Sequence, residues 1–305
     1  MTPSTATTTI DIPPTWRRWL LAARPKTLPA AIAPVLVGTA IAIHEDGFHG
    51  LAALMALITA LLLQIAANFA NDALDFSRGA DTSERMGPLR VTATGLLSHG
   101  AVMRATVLTL ALSMASGLWL VVRGGWPILA LGIAAMVCAV AYTGGPFPLG
   151  YLGLGEVFVF IFFGPVAVAG TAYLQTLELT PLALAGSVPI GALAVAILVV
   201  NNLRDLPTDA RSGKRTVAVR IGPNLTKVEY GAMLAVALAS PIAFWLAGWL
   251  DRWWILTAGS WPLAWNLWRQ IHHNHGRSLN ATLAATARMQ LVYSVLLAIA
   301  LILAR

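Results

Sequence analysis

Nine runs of apolar residues, at 28–43, 51–74, 102–122, 126–143, 155–174, 182–204, 229–249, 252–268 and 283–304, take up most of this 305-residue sequence. Each is close to the length, roughly 20 residues, that a helix needs to cross the hydrocarbon of a bilayer. In lipid the backbone must satisfy its own polar groups, which leaves helices or closed barrels. The runs lack the period-2 alternation of barrel strands, so they read as helices. Turn residues punctuate them: Gly47 and Gly50, Gly124-Gly125, Gly144-Gly145-Pro146, Thr180-Pro181, Gly222-Pro223 and Gly276. Composition agrees, with 57% hydrophobic and only 11% charged residues. A soluble domain carries about a quarter charged residues, so this chain folded in water would expose very large apolar patches. Disorder needs the opposite composition. The fold class is therefore an all-α polytopic membrane protein with nine transmembrane helices. They form a single domain over 13–305, behind a polar, Thr-rich tail at 1–12 that is expected to be disordered. The first 27 residues hold Arg17, Arg18, Arg24 and Lys26 but no apolar stretch ahead of them, so no cleavable signal peptide is expected. Cys138 is the single cysteine, which excludes an internal disulfide and a cysteine-based metal site.

Nine spans place the termini on opposite sides. With the N-terminus cytoplasmic, only Arg123, Arg252 and Arg305 of the 20 Lys and Arg residues fall on the far side, and the other 17 are cytoplasmic. Miscounting one early span would scramble this asymmetry, so it supports both the orientation and the number of spans. The net charge of +7 is thus a topology signal, and nucleic-acid binding drops out.

The acids are more informative, because there are only 13. Asn68, Asn71, Asp72 and Asp75 leave the end of the second run, with Asp81 and Glu84 in the loop that follows. Asn201, Asn202, Asp205 and Asp209 leave the end of the sixth. Spacings of three and four put Asn68, Asn71, Asp72 and Asp75 on one helix face, and Asn201, Asp205 and Asp209 stack the same way over two turns, although Pro207 is expected to disturb the second turn. A carboxylate near a span end is commonly a solvated loop residue or a cap. Here the same Asn-plus-paired-Asp pattern appears twice on one membrane face, inside or just beyond apolar helices, where charge is costly. Carboxylate oxygens converging on one cavity suit a hard divalent cation, and Mg²⁺ bridges carboxylates to substrate phosphates. Basic residues follow each cluster: Arg78, Arg85 and Arg90 after the first, then Arg211, Lys214, Arg215 and Arg220 after the second. Acids for metal beside Arg and Lys form an arrangement suited to a diphosphate. Arg90, Lys214 and Arg215 are the candidates to bind it, against the plainer reading of cytoplasmic anchoring.

At these residues the chain resembles the UbiA superfamily of intramembrane prenyltransferases, nine-helix bundles with Asp-rich motifs after helices two and six. Within it the likeness is to the branch that prenylates hydroxynaphthoates. It is carried by Ala23-Arg-Pro-Lys-Thr-Leu28, Asn68 to Asp75, Asp81 to Arg90, and Tyr142-Thr-Gly-Gly-Pro-Phe-Pro-Leu-Gly-Tyr151. Gly155 to Gly164 and Asn201 to Thr216 extend it over nearly the whole chain. After Arg90 the chain reads Val-Thr-Ala-Thr-Gly, where many relatives have Gln before the Gly.

The resemblance implies a multi-pass protein of the bacterial plasma membrane with its active site at the cytoplasmic face. It implies Mg²⁺-dependent transfer of a polyprenyl group from polyprenyl diphosphate to 1,4-dihydroxy-2-naphthoate, with loss of CO₂ and diphosphate. Asp72, Asp75, Asp205 and Asp209 would hold the metal and carry catalysis. Asn68, Asn71 and Asn201 would orient metal or phosphate oxygens, with Arg90, Tyr142, Lys214 and Arg215 on the diphosphate. Arg24 and Lys26, beside the helix-breaking Pro25, are the candidates for the acceptor's carboxylate; interfacial snorkelling is the plainer reading for both. Some of Phe158, Phe160, Phe162 and Phe163 would face the allylic cation. Alternatives are another aromatic acceptor such as 4-hydroxybenzoate, or a transporter, although a transporter would place its charges nearer the midplane. Glu156 reads equally as a cavity residue or as a helix N-terminal charge. His272, His273 and His275 read as a solvated loop, and Trp245, Trp249, Trp253 and Trp254 as an interfacial belt.

Overall fold

The computed structural model describes residues 13–79 and 86–305. The expected tail at 1–12 and the loop residues Asp81, Glu84 and Arg85 lie outside the described residues. Eleven α-helices follow one another among those described: α1 (Thr15–Ala23), α2 (Pro29–His44), α3 (Gly50–Ser77), α4 (His99–Gly124), α5 (Trp126–Ala141), α6 (Gly155–Ile161), α7 (Gly170–Thr176), α8 (Pro181–Arg211), α9 (Val217–Leu246), α10 (Trp261–His273) and α11 (Leu279–Leu303). A π-helical stretch, Phe162–Ala169, joins α6 to α7 in one span, and a 3₁₀ stretch, Arg252–Ser260, leads into α10.

The nine apolar runs all fall on helical segments, but the segments differ in reach. Six are long and apolar enough to cross a membrane, and α1 with α2 makes a seventh as a pair bent by 49°. The run at 126–143 is the 16-residue α5, and 252–268 is divided between the 3₁₀ stretch and α10. The bend between α1 and α2 has a local cause. Arg24 precedes Pro25, whose ring disfavours the α conformation in the residue before it, and Arg24 takes a left-handed conformation (φ 53°) that ends α1.

Start signals behave as the residue types require. Ser98, Thr180 and Thr216 each accept the amide three residues on, opening α4, α8 and α9. Two boundaries differ from expectation. Helix α8 continues through Pro207 to Arg211, so Asn201, Asp205 and Asp209 remain on one helix. Helix α9 begins at Val217, before the expected 229, because polar Asn224, Thr226, Lys227 and Glu229 mask its first turns. The expected break at Gly222-Pro223 is a kink within it, with Gly222 at φ 78°.

Helix α8 forms the axis of the bundle. Buried residues make up 72% of its apolar window against 17% for α3, which faces outward. It packs on α9, α11, α2 and the π-helical stretch. Glycines allow the closest of these approaches. A Cβ on Gly191 of α8 would lie 2.9 Å from the Phe160 ring and 3.0 Å from the Phe160 carbonyl oxygen, which is backbone and cannot swing aside. Gly191→Val should therefore cost about 1–3 kcal/mol by overpacking. A thermal midpoint several degrees lower in detergent would register it. Gly132→Val, where a Cβ meets nothing within 4 Å, should leave the midpoint unchanged.

Candidate active site

A cavity of about 760 Å³ opens between α2, α3, α4, α5, the α6–α7 span and α8. Most of its wall is hydrocarbon: Leu63, Leu118, Leu129, Ile133 and Ile197, with Phe158, Phe162 and Phe163. Phe158 and Phe162 stack with ring centroids 6.3 Å apart. A π-helical turn rotates the residues that follow it relative to a regular helix, and both Phe162 and Phe163 at its start reach the cavity. Phe160 instead packs on Gly191.

The polar groups gather at one end, where α3 and α8 finish. From α3 come Asn68, Asn71 and Asp75; from α8, Asn201, Asn202, Asp205 and Asp209; from the loops, Arg90, Tyr142, Tyr151 and Lys214. Asp75 is the hub on the α3 side. It is 3% exposed, and its Oδ2 accepts from Arg90 Nη2 at 2.6 Å. Its Oδ1 accepts from the Tyr151 hydroxyl at 3.1 Å and from Lys214 Nζ at 3.4 Å. Burial, together with the Asp75 charge, pushes the Tyr151 phenol well above its ordinary pKa, so Tyr151 stays a donor. Its ring also lies under Lys214 and Arg78, at 4.6 and 5.3 Å.

Lys214 joins the two motifs. Its ammonium lies 3.4 Å from Asp75 and 3.8 Å from the Asp209 carboxylate. The α3 and α8 clusters, far apart in sequence, therefore converge on a single cation.

On the α8 side the organising residue is Arg204, which the orientation argument counted only as a cytoplasmic charge. It is 2% exposed. Its Nε and Nη2 grip the two oxygens of Asp205 at 2.8 and 2.5 Å. The same Nη2 donates to Asn201 Oδ1 at 2.8 Å, and Nη1 donates to Asn280 Oδ1 of α11 at 2.9 Å. Asn280 in turn donates to the Met86 carbonyl at 2.9 Å, tying the loop after α3 to this group.

The remaining expected residues fall in three places. Asn71 lines the cavity, its oxygen accepting from the Thr143 hydroxyl. Asn68 spends its amino group on the Ala23 carbonyl and the Thr27 hydroxyl, both at 2.9 Å, and so braces the α1–α2 bend. That bend brings Arg24, Lys26, Thr27 and Gln64 to another part of the same wall. Asp72 and Arg215 are not brought to the cavity. The Asp72 carboxylate, 1% exposed, accepts the amides of Val91 and Thr92 at 3.2 and 3.0 Å. Arg215 is exposed, and its backbone amide pairs with the Tyr151 carbonyl at 2.9 Å. Tyr151, Arg204 and Thr143 were not singled out from the sequence, and Asn202 was named in its cluster without a role. The available signal for Arg204 was a permanent charge inside an apolar helix, next to an Asp.

A hydrocarbon cavity closed at one end by cations and carboxylates suits a molecule with a long apolar tail and a multiply charged anionic head. Comparison with known proteins agrees. Residues 31–303 match the UbiA prenyltransferase family. The chain belongs to this family.

Among relatives of this UbiA prenyltransferase, 1,4-dihydroxy-2-naphthoate octaprenyltransferase from Mycobacterium tuberculosis is 41% identical over 285 residues, covering 93% of this chain and 96% of the relative. The protein of that name from Escherichia coli is 43% identical over 210 residues, 67% of this chain and 68% of the relative. Solved structures share the fold at low identity. A UbiA homolog from Aeropyrum pernix K1 superposes with a TM-score of 0.68 at 15% identity, over 90% of this chain and 97% of that one. A UbiA homolog from Archaeoglobus fulgidus, bound to GPP and Mg²⁺, gives 0.65 at 16% identity, over 93% and 99%. As a member of the family the protein is a prenyltransferase of multi-pass membrane architecture.

Proposed function

We propose that this enzyme transfers a polyprenyl group from polyprenyl diphosphate to 1,4-dihydroxy-2-naphthoate, releasing CO₂ and diphosphate and forming demethylmenaquinone. The reaction would take place at the cytoplasmic face of a bacterial plasma membrane. The observation that carries the reading is the meeting of the two acid motifs around Lys214 at the head of a hydrocarbon cavity. The relatives' names support the choice of acceptor.

Among the described residues no three His, Cys, Asp or Glu side chains gather as a complete metal site. The donor set still suits Mg²⁺, a hard cation that keeps several non-protein ligands and binds through one or two carboxylates plus substrate phosphates. Asp75 and Asp209 already flank a cation, the Lys214 ammonium, and Asp205 lies beside them at the same end of the cavity. Bound there, Mg²⁺ would neutralise the diphosphate and so favour its departure.

The chain's own groups account for the rest. Arg90 and Lys214 present cationic donors to the oxygens on which negative charge grows as the allylic C–O bond breaks. Phe158, Phe162 and Phe163 keep water from the electron-poor carbon and offer it their ring faces. Lys26 and Arg24 meet the acceptor's carboxylate at the α1–α2 bend, which holds the ring for attack through the carbon bearing that group.

The test is turnover in lipid with either 1,4-dihydroxy-2-naphthoate or 4-hydroxybenzoate and a series of prenyl diphosphates. Prenylated product with the naphthoate, dependent on Mg²⁺, is expected; product only with the benzoate would reassign the acceptor. Lys26→Ala should raise KM for the naphthoate about tenfold or more, as loss of a charged contact does. Binding of prenyl diphosphate should survive. Equal loss of both would remove Lys26 from the acceptor subsite.

A further inference from the structure

Glu156 has no part in the scheme above, yet it is a carboxylate held 9% exposed in the first turn of α6. An acid is electrostatically tolerable at a helix start, but its contacts are more specific than that. Its Oε1 accepts from Asn202 Nδ2 at 2.9 Å. Its Oε2 is buried without a hydrogen-bond partner among the described residues. Glu229 of α9 lies within electrostatic reach of it.

The Glu156 oxygen is the acceptor in this contact, and the Asn202 amino group is the donor. The Glu156 contact therefore decides which end of the Asn202 amide faces which way. The amino group is taken by Glu156, and Asn202, itself 5% exposed, lines the cavity. Its carbonyl oxygen is the end left for a ligand. Asn201 is set the opposite way. Arg204, which only donates, holds its oxygen at 2.8 Å, leaving its amino group for the cavity. Adjacent asparagines thus offer a donor and an acceptor to the same space.

A bare acceptor oxygen has no use for a deprotonated phosphate. At a rise of 1.5 Å per residue, Asn202 lies roughly 4.5 Å deeper along α8 than Asp205 and roughly 10 Å deeper than Asp209. That depth is past the Asp205 and Asp209 carboxylates, on the side where the reacting ring would lie. We propose that Asn202 accepts a hydrogen bond from a ring hydroxyl of the aromatic acceptor. Glu156 is the positioning residue that fixes its amide. This rests on the naphthoate reading above and adds how the ring is recognised. Drawing on the hydroxyl proton leaves electron density on the ring, which favours attack on the allylic carbon.

The experiment uses the full chain in lipid with Mg²⁺, prenyl diphosphate and either 1,4-dihydroxy-2-naphthoate or each of its two monomethyl ethers. Wild-type turnover is measured first. Failure to prenylate the naphthoate would sink the parent reading and this one with it, before any variant is read. Given turnover, one ether should be about tenfold poorer in kcat/KM than the parent, the size of one lost hydrogen bond in a dry site. Asn202→Leu should lose about tenfold on the parent and no longer distinguish that ether. Its KM for prenyl diphosphate and its Mg²⁺ requirement should be unchanged. Glu156→Gln, whose amide can hold Asn202 either way round, should lose a smaller factor and cost nothing further in the Asn202→Leu background. Ether discrimination in Glu156→Gln alone reads the same contact if Asn202→Leu does not fold. Retained discrimination, or a raised Mg²⁺ or diphosphate requirement, would overturn the assignment. Full additivity in the double variant would remove Glu156 from it.

Discussion

Asp75→Asn is expected to lower kcat by about 10²–10³-fold, the scale seen when one preorganised charge contact to a reacting group is lost. Asp75 receives Arg90, Tyr151 and Lys214 on its two oxygens. A neutral amide can accept on one oxygen only and turns its amino group either on Arg90 or on Lys214 and the Tyr151 hydroxyl. The loop that carries Arg90 and the loop that carries Lys214 then lose their common anchor. Neutralising one member of a buried ion pair also costs on the order of a few kcal/mol, so the thermal midpoint should fall together with activity. Diphosphate release in lipid and unfolding in detergent measure the two effects. Asp72→Asn is the control from the same motif. Its carboxylate serves the Val91 and Thr92 amides outside the cavity, and Asn keeps one oxygen for them. A loss of no more than about tenfold is expected, in line with about 1 kcal/mol for one hydrogen bond. Equal losses in the two variants would contradict this division of roles.

Arg204→Met should be nearly as damaging by a different route. The guanidinium makes four contacts, two to Asp205 and one each to Asn201 and Asn280. Met fills similar volume but leaves the Asp205 charge buried without its fork, at a cost of roughly 3–5 kcal/mol for a broken buried pair. kcat/KM for prenyl diphosphate should fall by about 10²-fold or more, because Asp205 and Asn201 lose their orientation together. Arg204→Lys should not rescue it. A single ammonium cannot span both carboxylate oxygens while also reaching two asparagines. Near-wild-type activity in Arg204→Lys would show that charge alone matters there and that the fork does not.

These two residues mark where sequence reading reached and where it stopped. The repeated Asn/Asp pattern at 68–75 and 201–209 was visible because helix periodicity places residues three and four apart on one face. A face is broad, however, and its edges point to different neighbours. Asp72 and Asp75 share the α3 motif, yet one turns to the 91–92 amides and the other to the cavity. The decision was made by where the 86–97 loop packs. Arg204 was visible only as a charge, because its value depends on Asn280 of α11 coming alongside. Tyr151 and Thr143, within a recognisable loop motif, acquired roles only once that loop folded over Asp75 and Asn71.

The sequence by itself determined the solvent, the helical secondary structure and the end of the helices at which the acid clusters gather. Apolar runs in lipid can satisfy their backbone only as helices, and the charges the chain spares are too few to be scattered. Tertiary structure alone decided which carboxylates meet, which asparagine offers a donor and which an acceptor, and where Glu156 points. Those depend on distances of a few ångströms between helices distant in sequence, and no local periodicity encodes them.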